Sequence, residues 1–419
     1  MTIREQYVIP KKYNTLSLAL MAVGIISIII LFITHGAHGG HTAADQQVRA
    51  RFWASLLQNS VYFLLITNAA LFFICATTLM WGGWQMSFRR VTEAIASCVP
   101  VMSVITFVIL MAIVFGGDHA IYHWTDTEHV KHDPILLGKS GFLNKTFFTV
   151  WTIITLVGWS WLGYKMRRLS TGIDNNKLSL DESKKYIWNN TVWSAIYMVL
   201  FSLTVMSSIP WFWLMSIDAH WYSTMYSWYT FASTFVAGIA LITLFVVFLK
   251  NNNYLELTSR EHLHDLGKFM FAFSIFWTYL WFSQFMLIWY ANIPEETVYF
   301  KSRLHGPYRG IFFLNLIINF LAPLLLLMTR RSKRNYGTMT MLCVLILFGH
   351  WLDFYQMVMP GPLMDPETSQ TYVPFMLADF GVALGFVGLI MFVTVRALTK
   401  APLLAKNHPF LKESIIHHT

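Results

Sequence analysis

The chain has 419 residues, of which 56 % are hydrophobic and only 12 % charged, and it carries a net charge of +9. A water-soluble domain has about a quarter charged residues, so this composition excludes a soluble globular protein and points to lipid as the solvent. The positive balance does not call for nucleic acid as a partner, because loops facing the inner side of a membrane collect Lys and Arg; the partner it implies is the lipid bilayer.

A helix crosses the roughly 30 Å hydrocarbon core with about 20 apolar residues, and ten runs of that kind follow one another. The first, 15–34, is followed by Thr34-His35-Gly36 without a small-residue cleavage site, so it is expected to be a retained helix rather than a signal peptide. The second, 53–81, ends in Trp81-Gly-Gly-Trp84, and the third, 92–116, contains Pro100 and ends at Asp118-His119. The fourth is 142–165; the fifth, 187–215, contains Pro210 and leads to Asp218-Ala-His220. The sixth, 223–249, opens with Tyr226 and Tyr229, and the seventh, 268–291, carries Tyr279, Ser283 and Gln284 before Glu295-Glu296. The eighth, 310–329, holds Asn315, Asn319 and Pro323; the ninth, 338–359, holds His350 and Asp353; the tenth, 374–397, holds Asp379 beside Gly381-x-x-x-Gly385. Trp and Tyr gather at run ends, as in Trp211-Phe-Trp213, in the manner of an interfacial belt.

The expected fold is an all-α integral membrane protein, one membrane domain over 1–419. Runs two to five (53–215) and six to nine (223–359) form two four-helix bundles flanked by the first and last helices. Threading ten spans places 22 of the 30 Lys and Arg on the side that holds both termini. The positive-inside rule then sets both termini in the cytoplasm.

Ionisable side chains inside hydrocarbon are costly, about 2.5–3.5 kcal/mol each on insertion scales, so the few present are candidates for function. His350 and Asp353, three apart, share one helix face; such a pair can hold a proton or accept one from a hydroquinone. Asp118, His119, Asp218, His220 and Glu296 cluster near the outer ends of outward-going helices, and Tyr226 and Asp379 lie near the outer ends of theirs. Together these nine residues are the candidates for a proton path. Catalytic residues and metal ligands are not expected. Cys75, Cys98 and Cys343 lie singly in apolar runs, without C-x-x-C spacing, and read as packing residues. Only His350 lies well inside a run, whereas a bis-His haem needs two at matching depth. No phosphate-binding glycine loop and no H-E-x-x-H zinc motif occurs.

Three segments carry a resemblance. They are Trp81-Gly-Gly-Trp-Gln-Met86, followed by Phe88-Arg-Arg-Val-Thr-Glu-Ala-Ile-Ala96; Asp218-Ala-His-Trp-Tyr-Ser-Thr-Met-Tyr226; and His264-Asp-Leu-Gly-Lys-Phe-Met-Phe-Ala-Phe273, running on through Phe282 to Glu296. They resemble the large membrane subunits of bacterial alternative complex III, a quinol:electron-acceptor oxidoreductase. Those subunits belong to the NrfD-like superfamily of polysulfide-reductase membrane subunits. Of the two paralogous types, the length and the Phe88-Arg-Arg-Val91 segment are closer to the F subunit than to the C subunit. The resemblance implies a respiratory-chain subunit of the bacterial inner membrane that supports quinol oxidation and proton translocation. It implies no cofactor on this chain beyond a quinol, with haem c and iron–sulfur clusters held by partners. Those partners are an NrfD-like C subunit and periplasmic iron–sulfur and multihaem cytochrome c subunits. A purely structural anchor, a polysulfide-reductase-like membrane subunit and a stand-alone secondary transporter remain alternatives.

Overall fold

The computed structural model describes residues 5–39, 43–117, 119–174, 177–363 and 376–418. Among them no strand occurs, and ten helices are long and apolar enough to cross a membrane. We number these α1 (Lys11–Gly36), α2 (Asp45–Leu79), α3 (Arg89–Phe115), α4 (Lys145–Thr171) and α5 (Leu180–Trp213). The second half holds α6 (Met225–Asn251), α7 (Arg260–Ala291), α8 (Tyr308–Leu326), α9 (Tyr336–Val358) and α10 (Leu377–Thr399). The protein is thus an all-α, multi-pass membrane protein. Both chain ends meet on one face, where the Leu403 N–H donates to the Glu5 carbonyl at 2.7 Å; we call this the terminal side.

Helix α2 packs on α3 and α5, and α4 also packs on α3 and α5; α6 packs on α7 and α9, and α8 on α7 and α9. Helix α2 also touches α6 and α9, so α2, α6 and α9 are the most enclosed spans. The α1–α10 pair lies outside, against α2 and the start of α3. Small residues let those two backbones close up: a Cβ on Gly385 would lie 2.6 Å from the Gly24 Cα, and one on Gly388 would lie 2.8 Å from the Ser17 carbonyl oxygen. In hydrocarbon such close backbone packing replaces the missing hydrophobic drive.

Several helices start well before their apolar runs. Helix α2 begins at Asp45 rather than 53, α5 at Leu180 rather than 187, and α7 at Arg260 rather than 268. At α5 and α7 the polar flanks stay helical because their ends are capped. Ser179 and Glu182 form a reciprocal capping box at α5, and Ser259 Oγ accepts from the Glu261 N–H at 3.2 Å at α7. Two spans widen into a π turn just before a proline: Thr204–Ser208 ahead of Pro210 in α5, and Ile317–Leu321 ahead of Pro323 in α8. Proline has no N–H to donate and its ring crowds the preceding turn. In α5 the Ser207 and Ser208 hydroxyls both donate to the exposed Leu203 carbonyl at 2.6 Å.

The C-terminal tail seals the terminal side. Glu413 accepts from the Gly83 N–H at 3.0 Å, and the Ser414 hydroxyl donates to the Trp84 carbonyl at 2.6 Å. His408 is buried with its ring edge-on to Tyr186. Burial, with Arg89 and Arg90 adding repulsion, pushes His408 well below the ordinary imidazole range.

Two outcomes follow from this packing. Gly385→Val should cost about 1–3 kcal/mol by overpacking, read as a lower melting temperature in detergent; an unchanged melting temperature would contradict the α1–α10 contact. Because the folded His408 prefers to be neutral, tail docking should hold at pH above about 6.5 and weaken as pH falls below it. Hydrogen exchange over 403–416, corrected for intrinsic rates, should speed up from pH 7.5 to 5.5 in the wild type and stay level in His408→Gln.

Candidate functional site

Helices α6, α7 and α9 converge on one carboxylate. Asp353 of α9 is fully buried. Its Oδ1 accepts the Tyr229 hydroxyl. Its Oδ2 accepts Ser233 Oγ at 2.8 Å and Trp277 Nε1 at 2.9 Å. Tyr229 and Ser233 stand four apart on α6, which presents both to α9; Trp277 comes from α7. All three are donors, which suits an acceptor-only carboxylate.

His350, one turn earlier, joins through the same serine: Ser233 Oγ lies 3.0 Å from His350 Nδ1. The serine has one hydrogen, and Asp353 takes it. The Ser233 oxygen therefore accepts from Nδ1–H, which leaves His350 Nε2 with the lone pair. That Nε2 is buried and has no protein partner. A bare imidazole nitrogen linked through a hydroxyl to a carboxylate is a proton acceptor with a relay behind it.

Toward the side opposite the termini the interior stays polar. A cavity of about 20 Å³, room for one or two waters, is lined by Tyr229, Gln284, Arg303, Asn315, Asp353 and Gln356 among others. Gln284 Nε2, Asn315 Oδ1, Gln356 Oε1 and both polar atoms of the Asn319 side chain are buried without a protein partner. Beyond them, buried Arg303 donates to the Gln356 and Met357 carbonyls at 2.9 and 3.1 Å, and reaches Asp218 at 3.3 Å. Arg303 lies 3.4 Å over the Tyr299 ring, whose other face stacks on Trp221. Burial pushes Tyr299 up to about 12, so its hydroxyl keeps its proton. Toward the terminal side the interior becomes apolar: Cys343 sits 3.9 Å from the Met270 sulfur, with Leu342, Ile346 and Leu266 all buried. The unpartnered amides of Gln284, Asn315, Asn319 and Gln356 thus lie from the level of His350 toward the side opposite the termini, with the buried hydroxyls of Ser274 and Thr243 on the other side.

The sequence candidates divide accordingly. His350, Asp353, Tyr226 and Asp218 fall in or beside this region; the buried Tyr226 hydroxyl has no protein partner, and its ring meets Trp221 and Tyr299. His220 is exposed and pairs with Asp133 at 2.5 Å, which holds the Asp133 carboxyl below the usual range. His119 contacts Thr125 Oγ1 at 2.6 Å, and Glu296 lies half-buried in the first turn of the short helix Pro294–Leu304. Asp118 lies outside the described residues. Asp379 does not reach the membrane surface. It is buried against Arg51 of α2, which also donates to the Tyr355 hydroxyl at 3.3 Å. Sequence reasoning passed over Ser233, Trp277, Arg51 and Arg303. Arg51 lies just before the second apolar run and Arg303 between the seventh and eighth, so both read as loop charges.

A second polar centre sits at the start of α3, where Glu93 accepts from Arg89 at 2.9 Å and Arg90 at 3.1 Å, all buried. Arg90 also pairs with Asp174 at 2.5 Å, and Arg167 donates to the Ala397 carbonyl at 2.5 Å, tying α4 to α10. Among the described residues no three His, Cys, Asp or Glu side chains converge to hold a metal ion. Comparison with protein-family models and with curated proteins finds no match.

Removing one partner of a buried ion pair strands the other charge, at about 3–5 kcal/mol. Arg51→Ala should therefore lower stability strongly, and Arg51→Met with Asp379→Leu should recover most of the loss, measured by thermal unfolding in detergent. Equal melting temperatures for the single variant and the wild type would rule out a buried pair.

Proposed function

We propose that the chain is a membrane subunit of a respiratory quinol:electron-acceptor oxidoreductase of the alternative complex III type. In this reading it lies in the bacterial inner membrane with both termini in the cytoplasm. It supports quinol oxidation by carrying protons from mid-membrane to the periplasmic side. Oxidation of a quinol yields protons and electrons together. The electrons leave through iron–sulfur and c-type haem groups in the periplasmic partners, next to an NrfD-like C subunit. The protons need a route through low dielectric, and this chain's own residues supply one. His350 Nε2 accepts a proton, and the Nδ1–Ser233–Asp353 link steadies the imidazolium that forms. The unpartnered amides of Gln284, Asn315, Asn319 and Gln356 order water toward Arg303 and Asp218.

The observation that carries this reading is the fully buried Asp353–Ser233–His350 relay with a bare Nε2. The excess of basic residues on the terminal side supports the orientation. The segment resemblance supports the class of complex.

The test is Asp353→Asn and His350→Ala in the intact, assembled complex. Quinol turnover should fall by about a hundredfold, the lower range for loss of a general acid–base group, with proton release falling in step. An assembled Asp353→Asn complex with normal turnover and normal proton release would leave only the structural-anchor reading.

A further inference from the structure

Between the α1–α10 pair and the α6–α9 face lies a cavity of about 530 Å³, with α2 as its back wall through Tyr62, Phe63 and Ile66. Aromatic contacts bound it at both ends. On the terminal side Tyr13 of α1 meets Phe248 of α6, with ring centroids 4.6 Å apart. At the deep end Phe380 of α10 meets Phe348 and Trp351 of α9 at 5.8 and 5.6 Å. The polar atoms of the floor are already engaged: the Tyr62 hydroxyl donates to the Leu347 carbonyl at 2.7 Å, and Trp351 Nε1 to Asn59 Oδ1 at 2.8 Å. The walls thus offer a ligand contact area and no hydrogen bond.

The dimensions are informative. The lining runs from Thr340 to Trp351 on α9 and from Asn251 to Leu241 on α6. At 1.5 Å per residue each stretch is about 15–17 Å long, and each begins near the terminal-side end of its helix. On α10 the lining runs from Phe380 to Val395, about 22 Å by the same measure, so the cavity reaches from near the terminal side past the middle of the roughly 30 Å hydrocarbon core. Polar lining residues, Tyr13, Asn251 and Thr340, occur at its mouth. The exposed Lys12 neighbours Tyr13 there, and the exposed Arg396 follows Val395 of the lining, whereas Lys250 is engaged with the Leu255 and Glu256 carbonyls at 3.0 Å. Dry apolar cavities of only about 150 Å³ already bind small hydrocarbons. One several times larger, set in a bilayer, takes up a chain.

We propose that this cavity is a lipid site holding one acyl chain of an anionic phospholipid from the terminal-side leaflet. The apolar slot accepts the chain, its elongated form matches a lipid tail, and Lys12 and Arg396 are exposed at its terminal-side end, the level of that leaflet's phosphates. The bound chain joins the α1–α10 pair to the second bundle, which those helices otherwise approach mainly through aromatic contacts at the two ends of the slot. The site is independent of the quinol reading and stands if that reading fails.

The experiment uses the full-length protein, with whatever subunits accompany it, extracted in mild detergent and washed. Retained lipid is identified by native mass spectrometry and solvent extraction. Phosphatidylglycerol or cardiolipin should be retained by the wild type, and retention should fall to background in Ala383→Trp, which fills the slot. Lys12→Gln with Arg396→Gln leaves the walls intact and should release the preference for anionic over neutral phospholipid. This second variant carries the test if the first does not fold. Recovery of a quinone in place of phospholipid, a retained lipid without headgroup preference, or equal retention by wild type and Ala383→Trp would each overturn the proposal.

Discussion

Hydrocarbon contains no water, so a carboxylate at that depth must draw its donors from the chain itself. Asp353 does so by recruiting one side chain from α7 and two from α6, and the geometry of the second bundle follows from that demand. A helix that supplies a donor within hydrogen-bond range is fixed in both rotation and height. The same constraint acts at Arg51 and Asp379, which join α2 to α10 and, through Tyr355, to α9. Helix α9 thus carries the polar bonds of both centres. Leu, Val or Phe at these positions would pack as well, but would leave the helices free to rotate on one another.

In the reading proposed above, buried polar groups gathered mainly on one side of Asp353 suit a one-way delivery of protons better than a passage through the membrane. Between His350 and the terminal side lie the apolar Met270, Cys343 and Leu342, with the buried hydroxyls of Ser274 and Thr243 beside them. Most of the buried polar groups named above lie in the other direction, from the amides of Gln284, Asn315 and Gln356 toward Arg303 and Asp218. The Arg303 guanidinium beside that exit is held by backbone carbonyls and by the Tyr299 ring as well as by Asp218. A carboxylate there has a counter-charge that does not depend on the transient proton.

Much of this was legible in the sequence, for physical reasons that also explain what was not. Ten apolar runs announce ten spans because length and composition alone decide whether a segment can cross. Their ends were misjudged where polar flanks stay helical, since Ser179 and Ser259 cap helices whose first turns are hydrophilic. His350 and Asp353 stood out because charge in hydrocarbon is rare. Ser233 and Trp277 did not, because a hydroxyl and an indole are ordinary in a span and their partner is over a hundred or nearly eighty residues away. Arg51 and Arg303 were counted with the loops, and only three-dimensional packing shows them buried at 2 % exposure each. The family resemblance rests on segments rather than on any one residue, and it bears on partners that no property of these helices can specify.

The π turn at Ile317–Leu321 sets how the two halves of α8 are rotated against each other. Each residue of an α-helix advances the chain by about 100°, so a turn holding one residue more than usual resets the rotational phase of everything beyond it. Helix α8 up to Asn315 and α8 from Pro323 onward are therefore out of step by that angle, and Asn319 sits in the wide turn with its amide against Gly349. Removing one residue from 317–321 would restore a regular helix. It would also swing Phe312 and Asn315 away from the relay relative to the proline end, without altering a single polar side chain.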